Sequence, residues 1–322
     1  MLTTPDRVPL RAWLPGYLAL GMIWGSSFLF IKVGIRELHP VYVTLGRVAA
    51  GALTLLILLA VLRDRLPRDP RLWLHLSVVA AVGVALPFTL FGYGEQRVSS
   101  ILAGIWNATT PLATLPMSVL VFRTERMTLR RAVGLVLGFS GVLVVLGVWQ
   151  GVGGAEFTGQ LMCFAAACCY AVAMPYQKRF VANRPESGVA LSAVQMLIAV
   201  AQLAIVAPLV AGPPPMPTSL SLDVIASVLA LGALGTGIAF AISLRNIRLI
   251  GASAASTVTY LVPVFAVLLG VVVLGESFAW HQPVGALVIL TGVAVSQGLL
   301  VGRFRRRADR AQARGAVPSG AR

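Results

Sequence analysis

Arg47 is the residue in this chain best placed to do chemistry. It interrupts an apolar stretch that begins near Val41 and resumes at Val48. An arginine near the centre of a membrane helix costs roughly 2.5–3.5 kcal/mol on insertion scales, less where it snorkels. Such a residue faces a cavity or a partner. Its fork suits a substrate carboxylate; a bond to a neighbouring helix end is the other use. Gln195 stands at the corresponding place in the second half of the chain. Pro111 and Pro263 fall near the middle of two further apolar runs, and each frees the carbonyl four residues earlier, at Asn107 and Thr259. Pro116 adds a second break to the first of these runs. Kinked helices at matched depth point to a central binding site, although a kink relieved by neighbouring helices has the same signature. Lys32 closes the first apolar run, and Trp24 lies two turns deeper, on one helical face with Ser27 and Ile31. Tyr93, Trp106 and Tyr260, and separately Tyr170 and Tyr176, are rings that either line a pocket or pack. The candidate cavity therefore draws on Trp24, Lys32, Arg47, Tyr93, Trp106, Asn107, Tyr170, Gln195, Thr259 and Tyr260, with kinks at Pro111 and Pro263.

The elements that must position these residues are membrane spans. The chain is 57% hydrophobic and 11% charged, whereas a soluble domain carries roughly 25% charged residues. A span needs about 20 mostly apolar residues. Runs free of Asp, Glu, Lys and Arg cover 12–31, 48–62, 72–94, 98–122, 132–155, 157–177, 187–222, 224–244, 249–275 and 277–302. The first has spanning length and is not a signal peptide, whose apolar core is shorter. The seventh includes a proline-rich loop, Gly212–Ser221. Ten spans follow.

Positive charge alternates between the connections. Arg7 and Arg11, then Arg63, Arg65, Arg68 and Arg71, then Arg123, Arg126, Arg130 and Arg131 lie on one side. Lys178, Arg179 and Arg184, then Arg245 and Arg248, continue that side, and the tail from Arg303 holds seven arginines. The opposite connections hold Arg36 and Arg97, with Lys32 at a span end. The positive-inside rule places both termini in the cytoplasm. This distribution also assigns the net charge of +15 to anionic lipid headgroups rather than to nucleic acid.

The two halves match. Trp24 and Lys32 correspond to Tyr170 and Lys178, Arg47 to Gln195, Pro111 to Pro263 and Glu125 to Glu276. Gly134 and Gly141 recur as Gly285 and Gly292, and the offset stays between 146 and 152 residues. Five spans per half is an odd number, so the second copy sits inverted in the bilayer, an arrangement found in many secondary transporters.

Several chemistries are excluded or weakened. Cys163, Cys168 and Cys169 share one apolar run without a His or acid at ligand spacing, so they read as packing residues and not as a metal site. Glu125 and Glu276 sit at span ends, and no carboxylate is expected at depth, which weakens a proton relay built on Asp or Glu. No nucleotide-binding loop is present, so direct ATP coupling is not expected. No cofactor is expected. Small-residue patches at Gly25–Ser27, Gly232–Gly237 and Gly134–Gly138 let helices approach closely, and the last spacing can also hold a homodimer.

These residues resemble a known family. Trp24-Gly25-Ser26-Ser27-Phe28 with Lys32, and Thr44-Leu45-Gly46-Arg47, look like the opening of an EamA domain. Pro111 to Glu125 and the glycine-rich Gly134–Gly138 look like its end, and Pro263, Leu274-Gly275-Glu276-Ser277 and Gly285 repeat that end. The first copy departs from the pattern at Phe122-Arg123-Thr124-Glu125. The resemblance, to the drug/metabolite transporter superfamily, covers 17–148 and 159–298. It implies an all-α integral membrane protein of ten transmembrane helices in two inverted five-helix repeats. Residues 13–149 and 157–301 would be the two copies, 1–12 a cytoplasmic N-terminus and 302–322 a basic, disordered cytoplasmic tail. It further implies a secondary transporter of a bacterial inner membrane, exporting a small metabolite, amino acid or drug by alternating access. The competing class is a non-transporting membrane sensor or a small-molecule-binding accessory subunit. No catalytic constellation supports an enzyme.

Overall fold

In the computed structural model, residues 9–123, 126–150, 154–181, 184–250 and 256–297 are described. They form ten helical elements and, among the described residues, no strand. The first five are α1 (Leu10–Gly34), α2 (Pro40–Val61), α3 (Pro70–Glu95), α4 (Ser100–Asn107 and Thr110–Pro116) and α5 (Leu129–Leu146). The second five are α6 (Gly154–Phe180), α7 (Gly188–Ala211), α8 (Leu222–Gly232, continued by Ala239–Ile250), α9 (Val262–Leu274) and α10 (His281–Gln297). Seven of them, α1–α3 and α5–α8, are each at least 18 residues long and apolar enough to cross a membrane unaided. Their outward faces are apolar: Leu53, Leu74, Val136, Leu209 and Leu229 are all exposed. A surface of that kind calls for lipid. Trp149 and Trp280 stack with ring centroids 5.8 Å apart at neighbouring ends of α5 and α10, as interfacial tryptophans do.

Local chemistry sets the helix ends. Asp69, Ser99, Thr128 and Ser187 each accept a hydrogen bond from a first-turn N–H, which satisfies a donor the helix leaves open. Gly147 and Gly275 end α5 and α9 at φ 59° and 65°, where a side chain would be strained. Pro111 divides α4 at Ala108 and Thr109, and the Thr110 hydroxyl donates to the freed Asn107 carbonyl at 2.8 Å. Pro263 opens α9 after a 3₁₀ turn, Ser256–Tyr260. Three π-helical turns were not anticipated: Ala81–Ala85 in α3, Met117–Val121 after α4 and Ala233–Ile238 in α8.

Close helix contacts rest on glycine. A Cβ on Gly134 would stand 2.6 Å from the Gly292 carbonyl, and one on Gly285 2.8 Å from the Gly141 carbonyl. The face that could have held a dimer is therefore occupied within the chain, by α5 against α10. Gly232 brings α8 onto the backbone of α2, 2.5 Å from its added Cβ to the Arg47 carbonyl. The other main packings are α1 with α8 and α9, α6 with α3 and α4, α2 with α7 and α8, α3 with α7, and α4 with α9.

Candidate functional site

Arg47 is carried by α2, two turns from its Pro40 start, and is 7% exposed. Four elements close around it. Phe88 of α3 lies under the guanidinium, with Cζ 3.7 Å from the ring centroid. Gly235, in the π turn of α8, faces it: an added Cβ would lie 3.9 Å from Nη2 and 3.3 Å from the Ser27 hydroxyl of α1. Tyr170 of α6 and Glu95 of α3 are within its electrostatic reach. Arg47 Nε is buried and has no hydrogen-bond partner, and no acid among the described residues is within ion-pair distance. A guanidinium held on one ring face, with donors uncommitted, can still receive a planar anion.

Gln195 of α7 occupies a related setting. It is 8% exposed, and a Cβ on Gly83, in the π turn of α3, would meet Ala173 at 3.0 Å and Gln195 Nε2 at 4.0 Å. Gly83 and Gly235 are 152 residues apart in sequence. Ser27, Gly235 and Arg47 thus have Ala173, Gly83 and Gln195 as counterparts.

The remaining candidates are distributed. Trp24 is half-buried beside the apolar cluster of Leu20, Ala239 and Val258. Trp106 donates its indole N–H to Gln160 at 3.2 Å and meets Phe164 edge-on. Asn107 lies at the break in α4. Tyr93 pairs with His39 at 3.4 Å. Thr259 and Tyr260 sit in the 3₁₀ turn before α9, and the Tyr260 hydroxyl is buried and unpartnered. Lys32 donates to the Glu95 and Val98 carbonyls at 2.5 and 2.8 Å, stapling α1 to the end of α3. Arg47, Tyr170 and Gln195 are thus central, whereas Lys32 and Tyr93 belong to the Glu95 end of the bundle. Glu125 and the tail from Arg303 lie outside the described residues.

Glu95, an acid at a span end, carries no mark in the sequence that it is buried within the protein. That residue ends α3 and is 0% exposed. Only three residues separate the third apolar run from the fourth, so the turn is tight and its first residue is drawn under α6. Gly94 permits this, since an added Cβ would lie 2.5 Å from Cys163 Sγ. Phe88 and Gly83 were also missed. Gly83 could have been found from Gly235 by the repeat offset, and Phe88 carries no sequence signal that separates it from packing rings.

On the face with the arginine-rich connections, Asp64 accepts a hydrogen bond from the Ser187 hydroxyl. Ser187 first, then the Arg65 amide, hold its carboxyl below the ordinary aspartate value. Arg184 pairs with Asp69 at 3.1 Å. These contacts join the α2–α3 loop to the start of α7.

Comparison with known proteins agrees with this architecture. The uncharacterized transporter YoaV of Bacillus subtilis (strain 168) is 24% identical over 282 residues, 86% of this chain and 94% of that protein. The uncharacterized inner membrane transporter YedA of Escherichia coli (strain K12) is 27% identical over 282 residues, 86% and 88% of the two chains. A probable amino-acid metabolite efflux pump of Salmonella typhimurium is 23% identical over 291 residues, 87% and 94%. A solved crystal structure superposes with a TM-score of 0.62 over 91% of this chain and 98% of its own, at 21% identity, a likeness of fold. The sequence profile of the EamA-like transporter family matches twice, at residues 12–147 and 157–297. The chain is a membrane protein belonging to the EamA-like transporter family.

Proposed function

We propose that this protein is a secondary transporter that exports a small amphipathic metabolite bearing a carboxylate, by alternating access between two inverted five-helix halves. The observation that carries the substrate class is Arg47, a buried guanidinium with an unpartnered Nε, enclosed by helices of both halves. The likeness to a probable amino-acid metabolite efflux pump agrees with a carboxylate substrate and with export.

Three observations support the inverted halves. The family profile matches twice. π-Helical turns recur at Ala81–Ala85 and Ala233–Ile238, 152 residues apart. The packing pairs also exchange under the repeat: α1 with α8 and α9 maps onto α6 with α3 and α4, and α2 with α8 maps onto α7 with α3. The pairs α2–α7, α4–α9 and α5–α10 map onto themselves, which a pseudo-two-fold axis requires. The arginine bias supports cytoplasmic termini in a bacterial inner membrane.

A growth-resistance screen with amino acids and drugs in an expressing strain, followed by efflux from vesicles for each hit, tests the reading. Carboxylate-bearing hits with protein-dependent flux are expected. Absence of flux across the panel would favour a sensor or accessory subunit, and flux confined to cations would overturn the carboxylate.

A further inference from the structure

We propose that Glu95 and Lys32 form a proton-binding site, and that release and rebinding of this proton drive the transport cycle. This rests on the transporter reading above. Glu95 is fully buried, and both carboxyl oxygens lack a hydrogen-bond partner. The charged and titratable groups within its electrostatic reach are Lys32 of α1, Arg47 of α2, Cys163 of α6 and Glu276 of the turn after α9. Neither cation is bonded to its carboxyl. The Lys32 ammonium is held on the Glu95 and Val98 carbonyls, and the Arg47 guanidinium lies on Phe88. Glu276 is satisfied as an anion, accepting from the Ser100 amide at 2.9 Å, the Ser100 hydroxyl at 2.7 Å and the Ile101 amide at 3.2 Å.

A carboxylate buried without donors costs far more than a carboxylic acid in the same place. A second anion, Glu276, adds to that cost. In this conformation, then, Glu95 carries its proton. The ionised form has a partner at hand, because the ammonium already sits on the carbonyl of the same residue. On opening of this end of the bundle, the Oε–H bond breaks, the proton passes to water, and Lys32 turns from the carbonyls to the new carboxylate. Closure reverses the exchange, and the net charge change is the one proton lost or gained. The site draws on both halves: α1 and α3 supply the pair, α6 packs on Gly94 beside it, and Glu276 after α9 binds the start of α4 within its electrostatic reach. Relative movement of the halves therefore changes access to Glu95.

Full-length protein in lipid nanodiscs, followed by infrared spectroscopy across a pH series, tests the bound proton. A protonated-carboxyl C=O band is expected in the wild type at neutral pH. It should vanish in Glu95→Gln and persist to higher pH in Lys32→Met, where the ionised form loses its partner. Identical wild-type and Glu95→Gln spectra would overturn the site. Vesicles loaded with each hit of the resistance screen test the coupling. Wild-type flux should rise with an imposed pH gradient, and that dependence should be lost in Glu95→Gln of normal melting temperature. Wild-type flux indifferent to the gradient would overturn the coupling and leave the transporter reading intact. No flux for any hit would instead remove the transporter reading, and the coupling with it, while the infrared band still reports the bound proton.

Discussion

Replacing Arg47 by the residue its counterpart carries separates function from stability. In Arg47→Gln the chain no longer inserts a charge, a saving of roughly 2.5–3.5 kcal/mol at a helix centre. It loses the stacking on Phe88, 3.7 Å below Cζ, worth about 0.5–2 kcal/mol. A buried amide brings a polar cost of its own, on the order of 1 kcal/mol. The balance lies between a loss of about 0.5 kcal/mol and a gain of about 2 kcal/mol in stability. Transport falls in either case. A hydrogen bond to a charged group contributes about 1.5–3 kcal/mol, so carboxylate flux should fall about ten- to hundredfold. Arg47→Lys should keep the charge but lose the planar fork, and fall between the two. Chemical unfolding in detergent micelles measures the first effect and vesicle efflux the second. If Arg47→Gln is destabilised by more than about 2 kcal/mol, or transports carboxylates as well as wild type, the guanidinium is a structural partner and the reasoning fails.

Three further predictions rest on other parts of the fold. Gly292→Ala should cost about 1–3 kcal/mol, because its Cβ would lie 2.4 Å from the Gly138 amide nitrogen and 2.7 Å from the Gly134 carbonyl; an unchanged unfolding midpoint would refute the close approach of α5 and α10. Gly235→Leu should abolish transport by extending into the space between Ser27 and Arg47, and retained efflux would show that substrate does not pass there. Asp64→Ala should lower the melting temperature fully above about pH 4 and progressively less as pH falls below it. The depressed carboxyl of Asp64 contributes stability above its unfolded value and loses it as pH falls through its folded one. A wild-type-to-variant gap that persists at about pH 2, below both values, would assign the effect to packing.

What was legible in the chain, and what was not, follows from how far each signal reaches. Apolar length and loop charge are local, so the ten helical elements could be read, down to the proline-rich loop after α7. Arg47 was legible because a charge inside an apolar run needs an explanation wherever the run ends up. Glu95 was not, because a charge at the end of a run looks interfacial. Its burial depends on α6 packing against Gly94 beside it, a contact made by residues far away in sequence. The π turns at Ala81–Ala85 and Ala233–Ile238 contain no proline and have no local signature. They become visible only when the halves are compared in space, with Gly83 beside Gln195 and Gly235 beside Arg47. That comparison also gives the mismatches a chemical direction. One triad is Ser27, Gly235 and Arg47, and the other is Ala173, Gly83 and Gln195. Two halves that kept both triads alike would offer a substrate two equivalent ends. These offer a cation and a hydroxyl in one triad, an amide and a methyl in the other. A ligand with a carboxylate at one end and a neutral body at the other has a single preferred orientation between them.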